Sequence, residues 1–440
     1  MKDDKDILTL VKMFVGLYVD YDKPLLIALS GGPDSLVLLD LLMKIPNLQL
    51  AVAHVDHNWR ETSSAEAKQL ESFVDKLGLR FHLLEIDPES LSGNLEDSCR
   101  EVRYRYFREL CEIHGYQGVA TGHHADDQSE TVLKRFFEGS SISQLSGIRP
   151  VKNIFGVKVV RPLLSISKAA IERCVQKQAF QPFYDSTNLD PRFMRGRMRA
   201  SIFPFLEKEF GKNIRRGMVN IAEEAFELEG YLDQKIKPYI ESILEGPLGL
   251  YLDLSKCRDL HLIELKHLIR RLCKKVGFNL SRNQIGVVCQ LVLEGAAGKR
   301  VIAQERDLHI DRGRLFFLRA KIDELPSQLV LKEGVQSYGN WEITVSKNVR
   351  VGGEEKVGWV DVWRGELEVY VPTGAYLIGP YKKNIRISKL WTDDKVPSFL
   401  RGIIPVLWER GAVVREFLSC RKSSNEDKNV IQILMKLKRT

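Results

Sequence analysis

The residues best suited to chemistry gather in three short strings: Ser30-Gly31-Gly32-Pro33-Asp34-Ser35, His54-Val55-Asp56-His57, and the run from Gly122 to Glu130 that reads GHHADDQSE. In the first, two adjacent glycines allow a tight turn whose N–H groups converge as an anion nest, and Pro33 suits the first position of a following helix. The string fails the G-x-x-x-x-G-K-[ST] pattern, so it is not an ordinary phosphate loop: the lysine is missing and an acid, Asp34, stands nearby. A carboxylate beside phosphate oxygens is repelled unless a divalent cation lies between them, which implies Mg²⁺ on Asp34. A plain strand–turn–helix corner is the bland alternative. The full S-G-G-x-D-S string after an apolar strand favours a nucleotide, held by Ser30, Gly31, Gly32, Pro33, Asp34 and Ser35.

In "AHVDHNWRETS" (53–63), His54, Asp56, His57 and Arg60 crowd the end of a strand candidate. No second ligand cluster stands at recognisable spacing, so a nucleotide or substrate contact through His54 is favoured over zinc. In "ATGHHADDQSETVLKRFFEGS" (120–140), a helix starting near Asp126 sets Asp127, Glu130 and Lys134 on one face, with Val132, Leu133, Phe136 and Phe137 as its buried side. Two acids in a first helical turn can be mere dipole complements. Together with His123 and His124 they form a set that could instead hold a cationic amine or share a metal. Arg100 and Arg103 lie three apart in "CREVRYRYFREL" (99–110), with Tyr104 and Phe107 beside them, and suit a phosphate or RNA contact. Arg192, Arg195, Arg197 and Arg199 fall within eight positions of "YDSTNLDPRFMRGRMRASIFP" (184–204), a density that points to a polyanion.

The elements that must position these strings alternate. "LLIAL", "LQLAVAHV", "RFHLLEI" and "QGVAT" are strand candidates, separated by helical patterns over 34–43, 63–77 and 94–113. Short apolar runs alternating with helices imply βαβ units and a parallel sheet buried on both faces. Right-handed crossovers then place the loops after Leu29, Ala53 and Ala120 on the carboxyl edge, where such sheets bind ligands. Residues 211–293 read as mostly helical, and from about 300 the chain becomes rich in strands and turns: "LFFLRAKI", "WEITVSK", "LEVYV", "AYLIG". The fold class expected is α/β: an N-terminal parallel-sheet nucleotide-binding domain (1–210), a mainly helical middle domain (211–325) and a β-rich α+β C-terminal domain (326–440).

At 440 residues, 44% hydrophobic and 28% charged, the chain has the balance of a globular protein of two or three domains. Its seven cysteines (99, 111, 174, 257, 273, 289, 420) form no C-x-x-C pair, which argues against a disulfide framework, a zinc site or an iron–sulfur cluster. The start "MKDDKDILTL" lacks a signal-peptide pattern and no run approaches a membrane span, so a cytoplasmic protein with no membrane partner is expected. The net charge is +8; from Lys382 to Arg439 there are 14 Lys/Arg against 6 Asp/Glu, the same surplus in one segment. Solvated surface is one reading; a face for a nucleic-acid backbone, using Lys382, Lys383, Lys389 and Arg401, is the other.

The first string resembles the loop of the ATP pyrophosphatase, or PP-loop, superfamily, which cleaves ATP between its α- and β-phosphates. Taken together, S-G-G-P-D-S, H-V-D-H, R-E-V-R-Y (100–104), G-H-H-A-D-D-Q-S-E-T, R-P-L-L (161–164) and D-S-T-N…R-x-x-R resemble the bacterial tRNA(Ile)-lysidine synthetase family, in its order. The segment 384–414 has the form of that family's C-terminal domain. One departure is Arg195-Gly196-Arg197, where the family usually has Arg-Asn. The resemblance implies a C–N ligase acting on CAU-anticodon tRNA(Ile), with ATP and free lysine as co-substrates. The wobble cytidine's C2 oxygen would be adenylated, and the lysine ε-amine would then displace AMP. It further implies that the first loop cradles pyrophosphate with His54 and His123 nearby, and that Asp34 holds Mg²⁺. Asp127 and Glu130 would grip lysine and help deprotonate its amine, while Arg100, Arg103 and an arginine among 195–199 stabilise phosphate charge. Catalytic roles fall to Asp34, Asp127 and Arg103. A homodimer is one option the sequence leaves open. A cytidine thiolase of the same superfamily would carry C-x-x-C pairs, small-molecule synthetases lack the H-H-x-D-D-Q-x-E-T string, and a non-catalytic RNA-binding module leaves the strand-end motifs unexplained.

Overall fold

A computed structural model describes residues 7–58, 63–87, 95–176, 182–183, 194–255, 259–303, 306–319, 324–349, 355–382, 385–419 and 430–438. Of the residues singled out above, Arg60, 185–188, Arg192, Cys257, Lys383 and Cys420 lie outside these. The chain divides into two units, Met1–Gly230 and Tyr231–Thr440.

The first unit runs α1 (Ile7–Tyr18), β1 (Leu25–Ala28), α2 (Pro33–Met43), β2 (Leu50–Asp56), α3 (Ser63–Lys76), β3 (Arg80–Glu85), α4 (Leu95–His114), β4 (Val119–Ala120) and α5 (Ala125–Phe137). It continues through β5 (Val151–Ile154), β6 (Val157–Val160), α6 (Lys168–Val175), α7 (Met194–Arg197), α8 (Phe203–Phe210) and the start of α9 (Ile214–Glu241). The sheet order is β3-β2-β1-β4-β6-β5, parallel except for β5, which pairs antiparallel with β6. The chain winds outward from β1 to β3, then returns to the other side of β1 as β4. This reversal is the switch point at which open α/β sheets leave a crevice at their carboxyl edge.

Pleating explains why β1 is apolar throughout. Leu25 and Ile27 pack with Val11 and Val15 of α1, Leu38 of α2 and Ile171 of α6. Leu26 faces the opposite side with Tyr104, Phe107 and Leu110 of α4. A strand covered on both faces has no solvent side for a polar residue. Helix α5 departs from expectation at its end. Val132 packs with Leu145, Ala222 and Ala225, and Leu133 with Met198 and Phe203. Phe136 and Phe137 are instead 59% and 70% exposed, because those packing partners end a turn before them.

The second unit begins with a five-stranded antiparallel sheet, β7 (Leu244–Gly246), β8 (Gly249–Asp253), β9 (Lys299–Ala303), β10 (Arg306–Asp311) and β11 (Arg314–Leu318), in the order β7-β8-β11-β10-β9. Helices α10 (Leu262–Val276) and α11 (Arg282–Leu293) contribute to the same core. Next come β12 (Leu329–Val330), β13 (Gly334–Tyr338), β14 (Trp341–Val349), α12 (Trp359–Arg364), β15 (Glu366–Pro372) and β16 (Leu377–Gly379). The last elements are α13 (Ile385–Asp393), β17 (Val406–Glu409), β18 (Ala412–Arg415) and β19 (Val430–Leu437). These strands form two four-stranded sheets, β12-β16-β17-β18 and β13-β14-β19-β15, around a core that includes Trp341 and Trp391. Tyr251 and Phe316 stack, and Trp363 meets both edge-on, in a separate aromatic cluster that joins strands β8 and β11 to α12. Among the described residues no helix is long and apolar enough to cross a membrane.

Candidate active site at the carboxyl edge

The Ser30–Ser35 turn is fastened from within. Gly31 adopts φ +80°, and a Cβ there would lie 2.5 Å from the Phe183 ring, so both backbone and space require glycine. The Phe183 N–H donates to the Gly31 carbonyl (3.0 Å). The Ser35 hydroxyl donates to the Gly32 carbonyl (2.9 Å) and accepts the Ser30 N–H (3.2 Å). Ser35 is therefore buried as the turn's internal brace, while Ser30 is exposed. Pro33 opens α2, and Gly32 caps it without a side-chain hydrogen bond, leaving the helix's positive end to whatever sits in the turn.

Gly122 brings the β4–α5 turn against this loop: a Cβ on it would lie 3.1 Å from the Asp34 carbonyl carbon and 3.2 Å from the Ser35 nitrogen. His124 caps α5. Its Nδ1 accepts the Asp126 N–H (3.2 Å) and its own N–H donates to Asp127 Oδ2 (3.0 Å). With Nδ1 accepting, the ring proton sits on Nε2, which lies 3.5 Å from Asp127 Oδ2 and 3.8 Å from Asp34 Oδ1. The two turns thus meet through one buried imidazole.

Three acids line the junction, and each has a cation. Lys168 Nζ donates to Asp34 Oδ1 at 2.6 Å. Arg199 binds both members of the expected pair, with Nη2 2.9 Å from Asp127 Oδ1, and Nε and Nη2 at 2.5 and 3.1 Å from the two Glu130 oxygens. Asp127 is 9% and Glu130 3% exposed. Burial disfavours ionised Asp127, but His124, His123, the His124 N–H and Arg199 outweigh it and hold its carboxyl below the usual value. For Glu130, burial wins over the Arg199 contacts and pushes its carboxyl up. Two adjacent carboxyls with opposed shifts are suited to different tasks.

His123 bonds Thr121 Oγ1 through Nδ1 (2.9 Å). Burial depresses its pKa to about 4; Asp127 works the other way, and Arg161, Arg195 and Arg100 add to the lowering. The imidazole is neutral at pH 7 within a positive surround. Tyr104 organises part of that surround: the Arg100 and Arg103 guanidinium carbons lie 4.8 and 5.6 Å from its ring centroid, and Arg161 is paired with it. His54 is buried; its Nδ1–H donates to the Leu29 carbonyl (2.7 Å), tying β2 to the end of β1, and burial lowers its pKa.

Asp34, His123, Asp127, Glu130 and Arg199 thus meet at the switch point, and Arg100, Arg161 and Arg195 reach its His123 side, while the charge of Arg103 falls on His57. Arg195 and Arg197 are exposed, whereas Gly196 between them is buried. In the second unit, Lys382 and Lys389 are exposed. Arg401 instead donates to the carbonyls of Trp391 (3.2 Å) and Val396 (2.9 Å), a brace within its own fold. The sequence reading missed Lys168 and gave no individual role to Arg161 or Gly122, which it noted only as parts of motifs, nor a capping role to His124. Lys168 follows R-P-L-L at the start of α6, and a basic residue opening a helix just past a strand's carboxyl end was the available signal.

The PP-loop domain family matches residues 5–206. The chain is 35% identical over 447 aligned residues, covering 98% of both chains, to "tRNA(Ile)-lysidine synthase" of Protochlamydia amoebophila (strain UWE25). Similarity at 37% identity over 262 residues links it to a protein of that name from Chlamydia muridarum (strain MoPn / Nigg), covering 59% of this chain and 80% of the relative. A Chlamydia trachomatis serovar D relative of the same name is 38% identical over 264 residues, covering 59% and 80%.

Proposed function

The chain belongs to the tRNA(Ile)-lysidine synthase family, and we propose that it joins free lysine to C2 of the wobble cytidine of a CAU-anticodon tRNA(Ile) through an adenylated base. It is an ATP-using ligase that forms lysidine on tRNA(Ile). The observation that carries the residue-level reading is the meeting, at one switch point, of an anion-nest turn with a buried carboxylate pair.

In the first step the cytidine C2 oxygen attacks the α-phosphate of ATP and pyrophosphate departs. Ser30–Ser35 and the α2 N-terminus cradle the departing group, with His54 supporting the turn from behind. Neutral His123 with Arg100, Arg103 and Arg195 stabilises charge on the phosphate being transferred. Mg²⁺ suits Asp34: it is one hard oxygen ligand at a phosphate nest, already holding a cation in Lys168, and Mg²⁺ takes its remaining ligands from phosphates and water. Bound there, the ion would neutralise phosphate charge.

In the second step the lysine ε-amine attacks C2 and AMP leaves. An ammonium is inert as a nucleophile, so it must lose a proton. Asp127, held ionised, grips the incoming ammonium. Glu130, whose carboxyl is pushed up, is the better proton acceptor of the two. Arg199 positions both.

We assign 1–210 to catalysis, 211–325 to a middle domain and 326–440 to tRNA backbone contact, in a cytoplasmic protein. Exposed Arg195, Arg197, Lys382 and Lys389 face phosphates on this reading, together with Arg192 and Lys383. Incubation with ATP, lysine and CAU-anticodon tRNA(Ile) transcript, followed by nucleoside mass analysis, tests it. Cytidine should gain one lysyl group; unchanged cytidine with intact ATP overturns the reading.

A further inference from the structure

The acid of the phosphate turn is met by a lysine that lies 134 positions away in the chain. Lys168 is the first residue of α6. Its backbone N–H donates to Asp126 Oδ2 (2.8 Å), and the Ser167 side chain caps the helix through the Ala170 N–H. Ala170 and Ile171 are buried in the same core as Leu36–Leu39 of α2. The root of the side chain is therefore fixed relative to the turn, while its four-carbon stem is free to reorient. The side chain retains 30% exposure, so the ammonium sits at the rim of the crevice.

We propose that Lys168 is the phosphate-binding lysine of this site, supplied in space because the turn itself has none. The inference rests on the reading of Ser30–Ser35 as the ATP turn. Before nucleotide arrives, the ammonium neutralises Asp34, so the anion nest carries no net negative charge to repel a polyphosphate. When a divalent cation takes Asp34, the ammonium is released beside that carboxylate, within reach of the phosphate oxygens. A compact, strongly hydrated charge on a flexible stem suits transfer between two anions. No bond is made or broken.

The test uses the full chain, with K168M and K168R, and calorimetric titration with inorganic pyrophosphate and with ATP, each with and without Mg²⁺. K168M should weaken pyrophosphate binding without metal by roughly tenfold or more, the scale of one charge-assisted hydrogen bond, and weaken ATP binding with Mg²⁺ comparably. K168R should stay within about threefold of wild type. In the unmutated chain, pyrophosphate should protect Lys168 from amine acylation, read by peptide mass. K168M affinities within about twofold of wild type, or no protection, would reduce Lys168 to a partner of Asp34 alone. Wild-type chain that binds neither ligand would overturn the ATP-turn reading and this inference together.

Discussion

Arg199→Met is the most searching single substitution, because it keeps the length of the stem and removes a guanidinium shared by two buried acids. Glu130 loses contacts of 2.5 and 3.1 Å, and Asp127 loses one of 2.9 Å. Breaking a buried pair from one side costs about 3–5 kcal/mol. Arg199 is 28% exposed and Asp127 keeps the His124 N–H, which favours the low end, about 3 kcal/mol. For a unit of this size roughly 2–4 °C follow each kcal/mol, so the midpoint should fall by about 6–12 °C. Calorimetry of the full chain measures it, taking the transition that ATP raises. The pH dependence supplies a second check. Asp127's carboxyl is held down, so its stabilisation is present above the ordinary carboxylate range and is lost as pH falls through its native value. Glu130's is pushed up, so its penalty exists above its native value and is relieved as pH falls. Both acids rise without Arg199, so the variant's deficit should be largest at neutral pH and shrink on acidification. Saturating lysine should raise the variant's midpoint more than the wild type's, since it supplies the missing cation. A midpoint within about 2 °C of wild type at pH 7, with an unchanged acid limb, would refute the argument.

Asp34→Ala should abolish adenylation while leaving tRNA affinity nearly intact; AMP formation near the wild-type rate would remove the metal role. Asp127→Asn should fold and bind ATP but show raised lysine requirement and reduced turnover, and unchanged lysine saturation would leave Asp127 a helix-dipole acid. Lys382→Glu with Lys389→Glu should weaken tRNA binding and flatten the slope of log K against log salt by about 1–2, whereas Arg401→Ala should lower the second unit's stability and spare the slope; equal slopes for all would make these lysines ordinary surface. His123→Gln should flatten acid destabilisation. With its native pKa lowered to about 4, His123 contributes stability fully present above its ordinary value and lost as pH falls from there toward 4; identical pH–stability curves would show that the ring is not buried neutral.

The parallel sheet was legible because βαβ packing leaves a crude signal: apolar runs such as Leu25–Ala28, covered on both faces, separated by helical periods. The Ser30–Ser35 turn was legible as a turn because Gly31 and Pro33 carry local conformational demands. Side-chain partnerships were not. Nothing near Asp34 in sequence announces Lys168, and Arg199 reads as one of four similar arginines until folding sets it against Asp127 and Glu130 while Arg195 and Arg197 stay exposed. Phe136 and Phe137 sit at core spacing, yet spacing cannot tell where the packing partners of α5 end. In the middle region the long helices declare themselves by period, while the short strands β7 and β8, part of a sheet completed some fifty residues later, do not.

The pattern of pairing carries a consequence for how the site works. A carboxylate proposed to take a metal and a carboxylate pair proposed to take an ammonium would be costly to leave bare and partly buried before the substrates arrive. Here each holds a cation contributed by a later part of the same unit: Lys168 on Asp34, Arg199 on Asp127 and Glu130. Two resident cations thereby offset most of the charge of the three acids, and on the proposed reading each stands where an incoming one would act. Removing a resident charge should therefore have two opposite effects, loss of stability in the empty protein and partial rescue by the matching ligand. A purely structural ion pair would show the first without the second. That difference separates a site built to exchange cations from one that merely contains salt bridges.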